Sequence, residues 1–287
     1  MKLADKIHLL KIDFEIAISP EKKLPRFVNV LIIFGSQITL IDTGVKGSEE
    51  RIFSYIRECG RNISEIKTVI LSHAHPDHIG SAAKIKELTG CQILAHRDET
   101  SWIEDLEIQN RERPVPGFFK LVDKPVNVDS KLSGGEVVKA DGDITLKMIH
   151  SPGHSKGSVN ILFIEDRILF TADSIPLKDD IPNYDNYFAL MKSLGEIKGC
   201  DDHDILLTSW TPPLTDSLEI KKLIEEGESY MLKLDEVVKR TYAGEELEPM
   251  SFCSRAIHQL GLPPFLVNPV VDRAFRSHAT PVGRASN

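Results

Sequence analysis

The sequence has few cysteines and no long apolar run. Its four cysteines lie far apart and form no Cys-x-x-Cys pair, which argues against a zinc knuckle or a redox pair and favours reduced, mostly buried thiols. No uninterrupted apolar stretch approaches the roughly 18 residues that a membrane-spanning helix needs. The amino-terminal residues also lack the apolar core of a signal peptide. We therefore expect a cytoplasmic protein with no membrane partner.

Clustered positive charge is also scarce. The 287 residues contain 35 Lys and Arg against 43 Asp and Glu, which gives a formal net charge of -8, and no basic run is longer than a pair. Nucleic-acid binding depends on clustered Lys and Arg. We therefore expect a small-molecule substrate and no nucleic-acid partner, while the oligomeric state, including a homo-oligomer, stays open.

What the sequence does contain is a concentration of histidine. His73, His75, Asp77 and His78 follow the apolar run at residues 68–71. Such a run is typical of a buried strand whose carboxyl end opens into a loop, where open α/β sheets commonly place their sites. Imidazole nitrogens and carboxylate oxygens are preferred zinc ligands. The cluster therefore predicts a metal site in a cleft, with a spacing that suits two neighbouring metals.

Four motifs carry a family resemblance. HAHPDHIG at residues 73–80 resembles the HxHxDH signature of the metallo-β-lactamase-fold hydrolases. IHSPGHSKGS at 149–158 resembles the second histidine motif of that superfamily, FTADS at 170–174 its bridging-aspartate motif, and IDTG at 41–44 its early Asp-Thr-Gly turn. Because the four motifs occur in family order, the sequence is identified as a member of this superfamily.

The resemblance implies a fold and a set of metal ligands. The expected fold is α+β, a four-layer αβ/βα sandwich over residues 1–214, followed by a helical extension over 215–287. The expected metal is zinc, as two ions, with iron or manganese as alternatives. The implied ligands are His73, His75 and His154 for the first site and Asp77, His78 and the bridging Asp173 for the second. Asp42 is expected to hold the histidine loop rather than to bind metal.

One family ligand is missing. Relatives usually follow the last strand of the site, expected here at residues 204–208, with a Gly-His pair. This chain has Ser209 and Trp210 instead, and an indole cannot bind a metal. His203 lies at the start of that strand, roughly 20 Å away at strand rise. His258 and His278 could in principle fold back to the site, but nothing in the spacing shows it. The second site is thus expected to be one ligand short.

Two segments are candidates for binding substrate. Residues 98–133 hold a predicted helix at 102–109 and a proline-rich stretch, and they form either a substrate wall or lid or a surface loop that covers the sandwich edge. Tyr184 and Tyr187 lie at the start of a predicted helix over 183–198. By similarity to the lactonases of the family, they donate a hydrogen bond to a developing oxyanion, or they pack against the helix.

Periodicity predicts several further elements. Strands are expected at 7–19, 27–34 and 37–41. The predicted helices include 48–59, with Ser48 as its cap, and a long amphipathic helix from residue 216 to Gly244. The helical extension is expected to bind substrate, or to pack over the sandwich or against another subunit.

The resemblance also implies an activity. The first expectation is hydrolysis of a small ester-type bond, a thioester as in the glyoxalase II relatives or a lactone. Metal-activated water attacks the carbonyl group, while Asp77 orients the nucleophile and passes on a proton. Two alternatives remain: an iron-dependent sulfur oxygenase similar to the persulfide dioxygenases, with one iron on His73, His154 and Asp173, and a non-catalytic protein that binds metal or ligand.

Overall fold

The computed structural model describes residues 1–17, 23–242 and 250–279. Within these ranges the strands form two sheets, with the orders β1-β2-β3-β4-β5-β6 and β11-β10-β9-β8-β7. The strands are β1 (Ile7–Ala17), β2 (Lys23–Phe34), β3 (Ile38–Ile41), β4 (Ile66–Leu71), β5 (Gln92–His96), β6 (Ser130–Leu132), β7 (Val137–Asp141), β8 (Ile144–His150), β9 (Val159–Phe163), β10 (Ile168–Phe170) and β11 (Ile205–Leu207).

The strand directions bring several loops to one edge of the first sheet. β1, β2 and β3 are antiparallel neighbours, whereas β3, β4, β5 and β6 run parallel. The second sheet is antiparallel from β7 to β10, and β11 pairs in parallel with β10. Since the carboxyl ends of parallel strands share an edge, the Asp-Thr-Gly turn after β3 and the histidine loop after β4 become neighbours.

Alternation along the strands divides the apolar core into layers. In β2, Val28, Val30 and Ile32 face a cluster shared with helices, while Leu31 and Ile33 face a cluster that also contains residues of the second sheet. A third cluster joins the outer face of the second sheet to the carboxyl-terminal helices. The layers thus follow the order helix, sheet, sheet, helix, which confirms the predicted α+β four-layer sandwich with a helical extension.

The helices cover both outer faces. They are α1 (Ser48–Glu58), α2 (Pro76–Ile79), α3 (Ala82–Thr89), α4 (Thr100–Glu104), α5 (Leu106–Glu112), α6 (Phe118–Leu121), α7 (Tyr187–Lys198), α8 (Ser217–Tyr242), α9 (Ser251–Leu260) and α10 (Pro269–Arg276). The helices before β6 contribute to the cluster on the first sheet, and those from α7 onward to the cluster on the second. In the described part of the chain, no helix combines the length and apolar character that a bilayer crossing requires.

Several predicted boundaries were wrong. β2 begins at Lys23 rather than at residue 27, because its pairing with β1 continues that far. Ser48 does not cap α1: the cap is Gly47, which has a left-handed backbone. The predicted helix over 102–109 is two helices separated at Asp105, whose side chain accepts the backbone N–H groups of Glu107 and Ile108.

Three further predictions concern the start of α7, the ends of β1 and α8, and the burial of the cysteines. The helix expected from residue 183 begins only at Tyr187, after the cap Asn186. The predicted end of β1 at 18–19 and of α8 at 243–244 lie outside the described residues. Of the cysteines, Cys91 and Cys253 are buried as expected, whereas Cys59 is exposed.

Candidate metal centre

The turn after β4 carries the first histidines. β4 ends at Leu71, and the short helix α2 begins at Pro76 with His75 as its cap. His73 and His75 both lie in this turn, and their rings are 4.5 Å apart between centroids. Asp77 and His78 follow in the first turn of α2. The local sequence therefore presents all four side chains at one point.

The first group of potential ligands combines three loops, those that follow β4, β8 and β10. His73, His75, His154 and Asp173 each offer a ligand atom within 4.8 Å of the others. His75 Nδ1 lies 2.7 Å from His154 Nε2, and Asp173 Oδ2 lies 3.3 Å from the same His154 atom. All four residues are buried. The structure thus brings the predicted first-site ligands together.

The second group shares Asp173 with the first. Asp77, His78 and Asp173 meet the same distance criterion. His78 Nε2 lies 3.3 Å from Asp173 Oδ1 and 3.6 Å from Asp77 Oδ2. The two oxygens of Asp173 therefore face different groups, which is the arrangement expected of a bridging carboxylate.

Unpartnered buried atoms test whether these residues fit a metal. His73 Nε2, His78 Nε2 and Asp173 Oδ1 are buried and have no hydrogen-bond partner among the described residues. Such atoms normally find a partner in folded proteins. A divalent cation accepts several nitrogen and oxygen donors at once, and this mixed donor set suits zinc or iron. The residues present therefore fit a metal.

Burial dominates the electrostatics of the centre. It lowers the pKa of His73 and His75 well below the usual value and that of His154 to about 4. His78 differs, since the carboxylates of Asp173 and Asp77 outweigh the effect of burial and raise its pKa. The imidazoles of the first group are thus held in the neutral form that binds metals.

Asp42 fixes the orientation of His78. Its Oδ2 lies 2.8 Å from His78 Nδ1, and its two oxygens accept the N–H and the hydroxyl group of Ser72 at 2.7 Å each. With Nδ1 engaged in this way, Nε2 of His78 is left facing Asp173. Asp42 has a positive φ of 62°, which Asp tolerates better than most residues. This is the holding position that the Asp-Thr-Gly turn predicts.

Two supporting residues were missed at the level of sequence. Glu99 is buried and accepts the N–H of Ala74 at 2.8 Å, the hydroxyl group of Ser155 at 2.5 Å and the N–H of Gly157 at 2.5 Å. Gln109 donates its Nε2 to the Ala74 carbonyl at 2.6 Å. The peptide between the first two histidines is thus held from both sides. No motif marks either residue, since their partners are distant in sequence.

The position of the missing histidine is filled by an aromatic ring. Trp210 follows β11, and its ring lies 6.5 Å from that of His78. Its neighbour Ser209 donates its N–H to Ala172 at 3.0 Å, directly beside Asp173. His203 precedes the opposite, amino end of β11. In the described part of the chain, the second group therefore consists of Asp77, His78 and Asp173.

The predicted tyrosines lie against the carboxyl-terminal segment. The Tyr184 hydroxyl group and His278 Nε2 are 2.7 Å apart, and His278 Nδ1 lies 2.9 Å from Asp235 Oδ1. Tyr187 stacks on the His278 ring with centroids 4.1 Å apart. Tyr184 lines the cavity beside the metal centre. Their role as oxyanion donors stays a prediction.

A further histidine pair is a packing contact. His96 and His150 stack with ring centroids 4.3 Å apart and an interplanar angle of 9°. A metal in the plane of one ring would lie outside the plane of the other. His150 Nε2 is also within 3.0 Å of the Lys156 carbonyl.

Comparison with known proteins agrees with this geometry. A family model described as the metallo-beta-lactamase superfamily matches residues 24–216. The hydroxyacylglutathione hydrolase GloC of Haemophilus influenzae is 30% identical over 136 residues, which cover 47% of this chain and 59% of that protein. The probable metallo-hydrolase YqgX of Bacillus subtilis is 25% identical over 186 residues, which cover 63% of this chain and 83% of that protein.

The similarity to these proteins has limits. The matched region spans less than two thirds of the H. influenzae hydrolase and 33% of a hydroxyacylglutathione hydrolase of Bradyrhizobium. A crystal structure of a metallo-beta-lactamase family protein from Thermus thermophilus has a TM-score of 0.75 at 17% identity and covers 96% of this chain and 94% of that one. At that identity it shows the fold alone. On the family match, this chain belongs to the metallo-beta-lactamase superfamily.

Proposed function

We propose that this protein is a metal-dependent hydrolase of a small ester-type substrate, a thioester or a lactone. The observation that carries the proposal is the pair of ligand groups joined by Asp173, beside a cavity lined by His75, Asp77, His154 and Asp173. Similarity to hydroxyacylglutathione hydrolases supports an ester-type bond.

The residues of the centre have distinct tasks. His73, His75 and His154 would hold one metal, and Asp77, His78 and Asp173 the second. A bound divalent metal supplies Lewis-acid chemistry and lowers the pKa of water from about 15.7 towards about 7. Zinc is the proposed metal, because the donor set is mostly imidazole.

Asp77 is the proposed general acid and base. It lines the cavity, so a substrate can approach its carboxylate. We propose that it orients the attacking water, accepts its proton and returns the proton to the leaving oxygen or sulfur. Asp42 orients His78 within the first histidine loop, and Glu99 links that loop to the loop of His154. Neither carboxylate is proposed to touch the reacting atoms.

Trp210 favours a second candidate function. Because an indole stands where relatives place their last histidine, the second group offers three ligands instead of four. A single iron held by His73, His154 and Asp173 would support oxygen chemistry on a sulfur substrate. Metal identity separates this candidate from the hydrolase.

The test combines metal content with turnover. Elemental analysis of protein purified without added metal should give zinc, and the protein should hydrolyse a thioester or a lactone. His75→Ala should reduce kcat/KM by more than about 100-fold together with metal content, because it removes a ligand. His258→Ala, on the exposed face of α9, is the matched control and should change neither.

Three outcomes would contradict the proposal. Full activity of His75→Ala with unchanged metal content would reject the site assignment. One iron per chain would favour the sulfur oxygenase. Stoichiometric metal without turnover of any ester would favour a binding protein.

A further inference from the structure

The cavity beside the metal centre is about 220 Å³ in volume. Apart from the metal ligands, its wall is mostly aliphatic, proline and aromatic. Such wall residues include Phe14, Ile175, Leu177, Trp210, Met231 and Val270. Each methylene group of a ligand that is buried here should raise its affinity by about fourfold. The wall therefore selects an apolar group.

The charged residues of the wall are largely paired. Arg26 makes two hydrogen bonds to the carboxylate of Asp180, at 2.9 and 2.5 Å. This pair is electrically neutral as a unit. The wall contains one other cationic side chain among the described residues, Arg113.

Arg113 keeps an excess of positive charge. Its Nε lies 3.6 Å from Asp185 Oδ1, but both oxygens of Asp185 are also bound by Arg273, at 3.0 and 3.2 Å. Two guanidinium groups thus share one carboxylate. Asn183 accepts from Nη2 of Arg113 and adds no charge. The cluster of Arg113, Asp185 and Arg273 therefore carries one net positive charge.

Arg113 also has unused hydrogen-bonding capacity. The residue is 2% exposed, and its Nε–H has no acceptor among the described residues. This N–H is itself enclosed beside Asp185, so a ligand in the cavity meets Arg113 where the residue lines the wall and through the net positive charge of the cluster. An oxygen anion is the partner that a guanidinium group binds best.

We propose that the substrate joins an apolar acyl chain or ring to an anionic oxygen, with the apolar part in the cavity and the oxygen on Arg113. This inference rests on the proposed hydrolase function and specifies its substrate class. It disfavours a glutathione thioester, since that tripeptide carries several charges and few apolar atoms, whereas the wall offers one unpaired cation.

Ligand binding tests the inference without turnover. Calorimetry of the metal-loaded full chain should compare straight-chain carboxylates of four to ten carbons with the alcohols of equal length. Affinity should rise with each added methylene group, by up to about fourfold. Carboxylates should bind at least about tenfold more tightly than the alcohols, as expected for a hydrogen bond to a charged group.

Two variants separate the two parts of the site. Arg113→Met keeps much of the side-chain bulk and should remove most of the carboxylate preference. Leu177→Asn places a neutral polar group in the half-buried cavity wall and should weaken carboxylates and alcohols alike by at least about tenfold. Arg57→Met and Leu218→Asn make the same chemical changes at exposed positions outside the cavity and should bind as the wild type does.

The following results would overturn one or the other part of the inference. Affinity that does not change with chain length would exclude the apolar part. A carboxylate preference that survives Arg113→Met, at wild-type metal content, belongs to the metals and would exclude the role of Arg113. Length-dependent binding without ester hydrolysis would reject the proposed function and keep the ligand class. Ester hydrolysis without length-dependent binding would keep the proposed function and reject the ligand class.

Discussion

Glu99 joins the two histidine loops through backbone and side-chain hydrogen bonds. Its carboxylate binds the backbone next to His73 and His75 through Ala74, and the backbone next to His154 through Ser155 and Gly157. Glu99 also packs closely against Gly157: a Cβ atom added to this glycine would lie 2.9 Å from Glu99 Cγ. One buried side chain therefore sets the distance between ligands that are far apart in sequence.

We expect Glu99→Gln to weaken metal binding. The amide keeps the size of the side chain but replaces an accepting oxygen with a donor, which leaves at least one buried donor unpaired. Loss of such a supporting contact should reduce metal affinity by about 10-fold to 100-fold and the free energy of unfolding by about 1–3 kcal/mol. Competition with a chelator and thermal unfolding measure these changes.

The control for this substitution is Glu107→Gln, which lies exposed on α5. It makes the same chemical change and should leave metal affinity unaltered. Equal affinity of Glu99→Gln and the wild type would show that the loops hold their positions without this carboxylate.

Single residues also show what a sequence can reveal. His73, His75, Asp77 and His78 are predictable as a group, because six consecutive residues must lie close together in any fold. Glu99 is not predictable in this way, since its partner Ala74 is 25 residues away and a lone buried glutamate has no spacing signature. Local chemistry is visible in the sequence, whereas support across loops depends on the tertiary fold.

At the scale of elements, helices α4 and α5 change the interpretation of residues 98–133. This segment was expected to be a wall or lid, or a covering loop. In the structure Glu99 precedes α4 and Gln109 lies on α5, and both hold the Ala74 peptide. The segment therefore supports the metal loop, and Arg113 after α5 reaches the cavity. Its role as a substrate wall stays a proposal.

A second contact between elements joins α8 to the carboxyl-terminal segment. His278 is 3% exposed and binds Asp235 of α8 on one side and the Tyr184 hydroxyl group on the other. Tyr187 stacks on its ring, and the charge of Lys239 also acts on it. Burial lowers the pKa of His278, although Asp235 opposes the shift. The contact therefore favours a neutral imidazole.

This contact predicts a pH dependence of stability. An unfolded histidine has a pKa near about 6.5, and the folded value is lower, so the unfolded chain binds more protons between the two values. Stability should therefore fall as pH drops below about 6.5. His278→Gln should lower the free energy of unfolding by about 1–2 kcal/mol at pH 7.5 and make its decline towards pH 5.5 less steep. Urea unfolding at both pH values measures the difference.

Exposed His258 provides the control for this prediction. His258→Gln should keep the wild-type pH dependence, and the metal-centre histidines are common to all three proteins and cancel in the comparison. An unchanged slope for His278→Gln would show that His278 is not the source of the pH dependence.

The boundaries of elements show why sequence prediction stops short. The amphipathic pattern of α8 is long enough to specify a helix, and the structure confirms it from Ser217 to Tyr242. The break at Asp105 is different, because Asp105 caps the second helix inside a continuous apolar pattern. Ser48 likewise has the chemistry of a cap, but the left-handed turn at Gly47 moves the start of the helix.

At the scale of the whole molecule, the helical extension shares a core with the sandwich. Leu234 and Met231 of α8 belong to the same apolar cluster as Leu162 of β9, Leu169 of β10 and Leu194 of α7. The predicted boundary at residue 214 therefore separates segments of sequence that are buried against each other. Such a shared core implies that the extension and the second sheet unfold together.

Leu234→Ala should reveal this coupling. Leu234 is 0% exposed, so its truncation should lower the free energy of unfolding by about 2–5 kcal/mol. Both tryptophans, Trp102 and Trp210, lie before the extension, so their full exposure to water requires the sandwich to unfold, whereas far-ultraviolet circular dichroism also reports on the helices. Because the core is shared, both signals should shift to the same lower midpoint in denaturant.

Leu232→Ala, at a position 53% exposed on the same helix, should change stability by no more than about 0.5 kcal/mol. A tryptophan transition that stays at the wild-type midpoint while the helical signal moves would show that the extension folds as a separate unit.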